Sequence, residues 1–323
     1  MFDQVQSAAL SLLNPFDYPT QPGQRLYWVY LVGAVLLAVL VRVSTTRRRG
    51  RRPLAVLRWL TAKSIWLHPS ARLDYKFLFA KAVIKTLFLT PWLGVSFAVG
   101  LWTAGRLHAL FGPASPSSLS PHVVTALYTV LLFVLSDLSR WAVHMAAHAV
   151  PALWELHKVH HSAEVMTPFT LYRSHPLETA LFQLRGVAVA GLLAGTFFYV
   201  FGASAQQLEL LGVNAIGFVL NMLGGNLRHS HVRLTYPAWV ERILISPAQH
   251  QIHHSSDPAH FHQNCGAWLA VWDWMAGRLT LSRDANPRHF GLPPGELNHR
   301  PSHLLEAIWG PLRAAFSRTA AKT

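Results

Sequence analysis

Long apolar runs constrain this chain more than any other feature. Residues 27–43 read YWVYLVGAVLLAVLVRV, near the minimum of about 17 residues for a membrane-spanning helix, and further apolar runs occupy 87–104, 123–138, 187–201 and 208–223. Charged residues make up only 13% of the chain against 51% apolar, so the charged surface of a freely soluble protein is missing. The same balance excludes disorder, which needs many charges and few apolar groups. The expectation is an all-α, polytopic bundle of four or five spans.

Basic residues orient it. Arg47, Arg48, Arg49, Arg51 and Arg52 follow the first run directly, and Lys76, Lys81 and Lys85 precede the second; both clusters belong on the cytoplasmic side by the positive-inside rule. A net charge of +14 suits an anionic membrane face, and beside such apolar runs no nucleic-acid partner is expected. The stretch 112–121 reads as a loop. The run 123–138 continues as one helix into the histidine-bearing segment 140–148, and the runs 187–201 and 208–223 read as a helical hairpin that leaves and re-enters the cytoplasmic side. Counting crossings puts the N-terminus outside and the segments 144–175 and 229–262 together on the cytoplasmic face.

Nineteen histidines stand in the chain, thirteen of them between His144 and His262. They are patterned as HMAAH (His144, His148), HKVHH (His157, His160, His161), RHSH (His229, His231) and HQIHH (His250, His253, His254). Residues at i, i+3 and i+4 share a helix face, so each H-x-x-H-H is expected to bring three imidazoles together. Such clusters are costly without a cation, because protonated imidazoles repel one another. Neutral imidazole suits iron, zinc, copper or nickel, and eight nitrogens from the three patches exceed what one ion accepts; a two-metal site follows, with His229 as a ninth ligand. The lone Cys265 excludes a disulfide framework and a thiol-built metal site. Acids are scarce; Glu155, Glu164, Glu178, Asp257 and Asp273 are candidates for orienting imidazole N–H groups.

In this order, H-x-x-x-H, H-x-x-H-H, an apolar hairpin, a single His and a second H-x-x-H-H, the sequence resembles the fatty acid hydroxylase and sterol desaturase superfamily, over about residues 66–281. LWELHKVHHS, RSHPLE, RHSHVRL, SPAQHQIHHS and NCGAWLAVWDWMAG carry the likeness. The resemblance implies a membrane-embedded di-iron oxidoreductase that uses dioxygen and two electrons to hydroxylate or desaturate a lipid. It makes His144, His148, His157, His160, His161, His229, His250, His253 and His254 the metal ligands, with no catalytic residue apart from them. His175, His231, Glu178 and Asp273 are candidates for further ligation or for orienting the ligands. Met145 stands where the family motif has arginine, and His231 where it often has Asn.

Two iron ions are the expected cofactor, zinc being a possible substitute. With no haem segment or nucleotide fingerprint in the chain, a ferredoxin, cytochrome or reductase is the expected electron donor. Trp141, Trp154, Tyr172, Trp268, Trp272 and Trp274 are candidates for the lipid entrance or an interfacial belt. Arg173 and Arg185 are candidates for an acidic head group or electron donor, and His260 and His262 for the mouth of the site. The expected division is an anchor and linker over 1–65, a catalytic domain over 66–285 and a tail over 286–323. The competing reading is a polytopic metal-ion transporter or metal-binding protein, which calls for ionisable residues lining the spans; the runs 87–104 and 187–201 carry neither charge nor histidine. A zinc hydrolase would call for an acid beside the ligands, as in H-E-x-x-H, which is missing.

Overall fold

A computed structural model describes residues 14–84, 94–114, 117–202, 206–293, 295–296 and 300–320. The chain is mostly helical, and among the described residues three helices are long and apolar enough to cross a membrane: α1 (Trp28–Thr45), α5 (Pro121–Ala149) and α7 (Pro176–Phe201). Between α1 and α5 lie α2 (Pro53–Leu60), α3 (Pro69–Ile84) and α4 (Val95–Phe111). The histidine-bearing α6 (Pro151–His161) separates α5 from α7. After α7 come the short strands β1 (Glu209–Leu210) and β2 (Val213–Asn214), then α8 (Ala215–Met222), α9 (Pro247–His253), α10 (Val271–Met275) and α11 (Leu304–Ala320).

Several helix starts are written locally. Ser120 caps α5 by accepting from the Val123 amide, with Pro121 at the first helical position, and Ser246 and Gln249 form a capping box on α9; side-chain oxygens here satisfy amides that have no partner within the helix. The small residues of α4 and α7 permit close approach. A Cβ on Gly191 would stand 2.7 Å from the Ser96 carbonyl oxygen, and one on Gly195 would collide with the Gly100 carbonyl, so the two backbones touch where glycine alone fits. Tyr128 on α5 packs with Leu193 and Phe197 on α7, while Ala34 and Ala38 of α1 pack on Leu227 and Val232. Apolar side chains such as Leu36, Leu40, Phe97, Trp102, Leu192 and Phe198 point outward, as an apolar solvent permits.

One expected span is corrected. Residues 208–223 do not form a membrane-length helix. Leu211 and Gly212, both at positive φ, turn the chain through a two-residue hairpin whose twist favours that conformation, pairing Glu209 with Asn214 and Leu210 with Val213. Asn214 then caps α8 by accepting from the Ile216 and Gly217 amides, and the helix is complete after 8 residues. The apolar run is real, but nearly half of it is spent on the hairpin before α8 begins at Ala215. Of the expected span 87–104, residues 87–93 lie outside the described residues and the remainder falls within α4.

Candidate metal centre

The C-terminal end of α5, the whole of α6, the His229 loop and α9 bring nine imidazoles into two adjoining groups. His144, His148, His157, His161 and His253 form one, and His160, His229, His250 and His254 the other, with the potential ligand atoms of each group lying within 4.8 Å of one another. These are the nine histidines singled out in the sequence. Each H-x-x-H-H brings its three imidazoles together as expected, with ring centroids 4.8 to 5.7 Å apart, but divides them: His160 joins the second group and His253 the first. Neighbours on a helix diverge by about 100°, so a triad sitting between two centres serves both. His161 and His254 stack at 4.5 Å where the groups meet.

Hydrogen bonds fix the tautomers. The Nδ1–H of His144 donates to the Cys265 carbonyl at 2.7 Å, that of His253 to the Gln263 carbonyl at 2.8 Å, and that of His160 to the Arg173 carbonyl at 3.0 Å. His157 donates its Nδ1–H to the Glu178 carboxylate at 2.6 Å. A carbonyl can only accept, so each committed Nδ1 carries the proton and leaves a bare lone pair on Nε2. Those lone pairs then face each other: the Nε2 atoms of His144 and His157 are 3.0 Å apart, and those of His144 and His253 are 3.1 Å apart. In the second group His229 Nε2 lies 3.2, 3.0 and 3.1 Å from the Nε2 atoms of His160, His250 and His254.

Protonation is a poor way to relieve this crowding. Burial, followed by the repulsion of neighbouring imidazoles, holds His161, His229, His250 and His254 well below the usual histidine range. Burial likewise pushes His160 down to about 4 and His253 down to about 3. Neutral, buried lone pairs converging on a point need a cation, and an imidazole-only donor set fits a first-row transition metal.

The remaining candidates take other roles. Glu178 orients His157, a carboxylate–histidine arrangement that fixes ring and tautomer. Asp273 reaches no histidine; its carboxylate accepts from the Cys265 and Gly266 amides at 3.0 and 2.7 Å and from the Trp141 indole at 3.0 Å, holding the loop whose carbonyls orient His144 and His253. His175 lies outside both groups: it caps α7 through Nδ1 and donates Nε2–H to the Ile308 carbonyl at 2.9 Å. His231 also lies outside, edge-on to Trp59. Glu155 pairs with Lys158, Glu164 with Arg300, and Asp257 caps a short turn.

Arg173 is corrected as a head-group ligand. It is 1% exposed and committed to Asp74 at 2.7 Å and the Ser70 carbonyl at 2.6 Å. Of the aromatic candidates, Trp154 joins His148, His161, His253, Phe261 and His262 around a cavity of about 170 Å³ beside the first group, large enough for several molecules the size of water. His260 instead meets the Ser255 hydroxyl. Trp272 donates to Asp137, Trp268 lies under Arg228, Tyr172 is buried and Trp274 is exposed. Sequence reasoning missed Gln263, Cys265 and Arg173 as orienting groups because they act through backbone carbonyls, which leave no side-chain signature.

Residues 129–278 match the model of the fatty acid hydroxylase family. The chain is 20% identical over 181 residues to an alkylglycerol monooxygenase of Caenorhabditis elegans, covering 56% of this chain and 32% of that protein. It is 27% identical over 165 residues to an alkylglycerol monooxygenase of Danio rerio, covering 48% and 31% respectively. The chain thus spans about a third of the length of the curated relatives it matches. No solved structure matches it. The likeness to the fatty acid hydroxylase family thus covers residues 129–278, slightly under half of the chain, and takes in all nine clustered histidines, while three helices among the described residues are of membrane length.

Proposed function

We propose that this chain is a membrane-bound, oxygen-dependent lipid hydroxylase whose nine histidines hold two iron ions. The observation that carries the reading is the convergence of nine imidazoles into groups of five and four, four of them aimed by a hydrogen bond at Nδ1. His144, His148, His157, His161 and His253 would hold one ion, and His160, His229, His250 and His254 the other. The ion pair would supply an oxidant, drawn from dioxygen and two electrons, strong enough to break an aliphatic C–H bond. One oxygen atom would end in the alcohol and the other in water, with two protons consumed. Zinc fits the same imidazoles but supplies no electrons.

The protein's own part is placement. Glu178 and the carbonyls of Cys265, Gln263 and Arg173 aim the imidazoles, the buried cap keeps bulk water away, and the helices below offer an apolar path for a lipid. Hydroxylation is favoured over desaturation because the matched relatives are named monooxygenases. Electrons would come from a separate ferredoxin, cytochrome or reductase. The basic residues 47–52 support a cytoplasmic site, on a catalytic unit of residues 66–285 with an anchor before it and a tail after it.

The test is metal analysis of the detergent-purified chain expressed with iron, alongside a search of lipid extracts from expressing cells. Two irons per chain and a lipid heavier by one oxygen are expected, with about half of the metal and all of the product lost in His157→Ala and in His254→Ala. A chain without tightly bound metal under iron-replete conditions overturns the assignment.

A further inference from the structure

Just below the histidines, positive charge gathers with little to neutralise it. Arg140 on α5 lies within electrostatic range of Arg25, Arg185 and Arg228, and the carboxylate facing this group is Asp137. Asp137 is already spent: it accepts from the Trp268 and Leu269 amides and the Trp272 indole at 2.9 to 3.0 Å. Arg25 and Arg228 lie against Trp268 at 5.1 and 4.0 Å and donate to neutral acceptors, Arg25 to Asn221 and the Gly225 carbonyl, Arg228 to the Ala267 and Ile245 carbonyls.

Arg140 and Arg185 face each other from α5 and α7. Arg185 donates to the Ser136 carbonyl at 2.8 Å and the Ser139 hydroxyl at 2.7 Å, while its buried Nε has no hydrogen-bond partner among the described residues. Arg140 is exposed, stands over the Phe182 ring at 5.5 Å and makes no hydrogen bond or ion pair among the described residues. It precedes His144 by one helical turn, about 6 Å along the axis. Guanidinium groups in this state have donors ready in the planar fork that matches carboxylate and phosphate oxygens.

We propose that Arg140 and Arg185 seat the anionic group, a carboxylate or phosphate ester, of a lipid amphiphile, with Arg25 and Arg228 supplying positive field behind them. In naming a lipid this rests on the hydroxylase reading. It adds that the ligand is charged and that its head, with the carbons next to it, lies near the histidines.

Binding of radiolabelled oleate to the purified full-length chain in neutral maltoside micelles tests the seat without requiring metal or turnover, so its outcome is separable from that of the hydroxylase assay. Saturable binding is expected, weakened about tenfold or more in Arg140→Gln and in Arg185→Gln, as loss of one charge-assisted contact dictates. Arg140→Lys should restore part of it, Arg106→Gln on the exposed face of α4 should leave it unchanged, and oleyl alcohol should fail to compete. Arg140 has no hydrogen bond to lose, so its variant decides even where Arg185→Gln disturbs folding. Unaltered affinity in Arg140→Gln, or an equal loss in Arg106→Gln, overturns the proposal. Displacement of oleate by inorganic phosphate at matching concentration overturns the lipid assignment in favour of a free anion.

Discussion

His160 and His161 are consecutive in sequence and belong to different histidine groups: His160 Nε2 lies 3.2 Å from His229 Nε2, and His161 Nε2 lies 3.1 Å from His157 Nε2. One peptide bond therefore ties the two centres together, and His253 and His254 repeat the arrangement from α9. Single substitutions should separate them. His161→Ala is expected to halve the metal content by emptying the five-histidine centre, and His229→Ala to halve it by emptying the other. Loss of all metal in both variants would mean that neither ion is held alone.

Glu178 is 6% exposed and fixes the His157 ring through a 2.6 Å bond. Glu178→Ala should weaken metal retention by 10- to 100-fold, the usual effect of removing the partner of a ligating imidazole, and Glu178→Gln by less because the amide oxygen still accepts. Competition against a chelator of known affinity reads this directly; identical retention in Glu178→Ala and the parent chain would contradict it.

Acid should destabilise the cap. His160 is held at about 4 by burial, whereas in the unfolded chain it takes its proton near 6.5. Between these values the unfolded state binds a proton that the folded state refuses. The contribution to stability is thus full above about pH 6.5, falls as the pH drops, and levels off below about pH 4; at pH 5 the loss is ~2 kcal/mol from this residue alone. Chelator-treated protein should show a Tm several degrees lower at pH 5 than at pH 7.5, and His160→Gln should narrow the difference. A Tm independent of pH over this window would refute the argument.

Backbone contact between α4 and α7 gives a prediction independent of the metal. Gly191→Ala places a methyl 2.7 Å from the Ser96 carbonyl and the Val99 side chain, an overpacking that costs about 1–3 kcal/mol. Gly186→Ala, on the same helix with nothing within 4 Å, should be neutral or stabilising by up to about 1 kcal/mol. Thermal unfolding of the two variants in one detergent checks the contrast; a matched loss in both would show that close helix approach is not the cause.

The membrane helices and the nine histidines were legible in the sequence because both depend on periodicity. An apolar run of sufficient length leaves α1, α5 and α7 few alternatives, and i, i+3, i+4 spacing leaves the imidazoles of α6 and α9 on neighbouring faces. The division of each triad between two centres depends on where α5 and the His229 loop dock, which is a tertiary matter. The hairpin at Leu211 and Gly212 was hidden inside an apolar run, with a leucine at positive φ where glycine or asparagine would have announced a turn. His175 followed a family-like motif yet serves α7 as a cap, since a histidine before Pro176 has a local amide within reach.

The segment Gln263, Asn264 and Cys265 joins two ligands that are far apart in the chain. Its first carbonyl accepts from His253 and its last from His144, while the buried Asn264 between them, at φ 53°, bonds to Gln249 and Thr280. A shift of this one tripeptide swings rings on α5 and α9 simultaneously. Two of the five imidazoles of the first group thus take their aim from one short segment, and a change in its packing is felt by both. Retention of an ion by the first group should therefore depend on how Asn264 is packed, since its bonds to Gln249 and Thr280 hold both carbonyls in place.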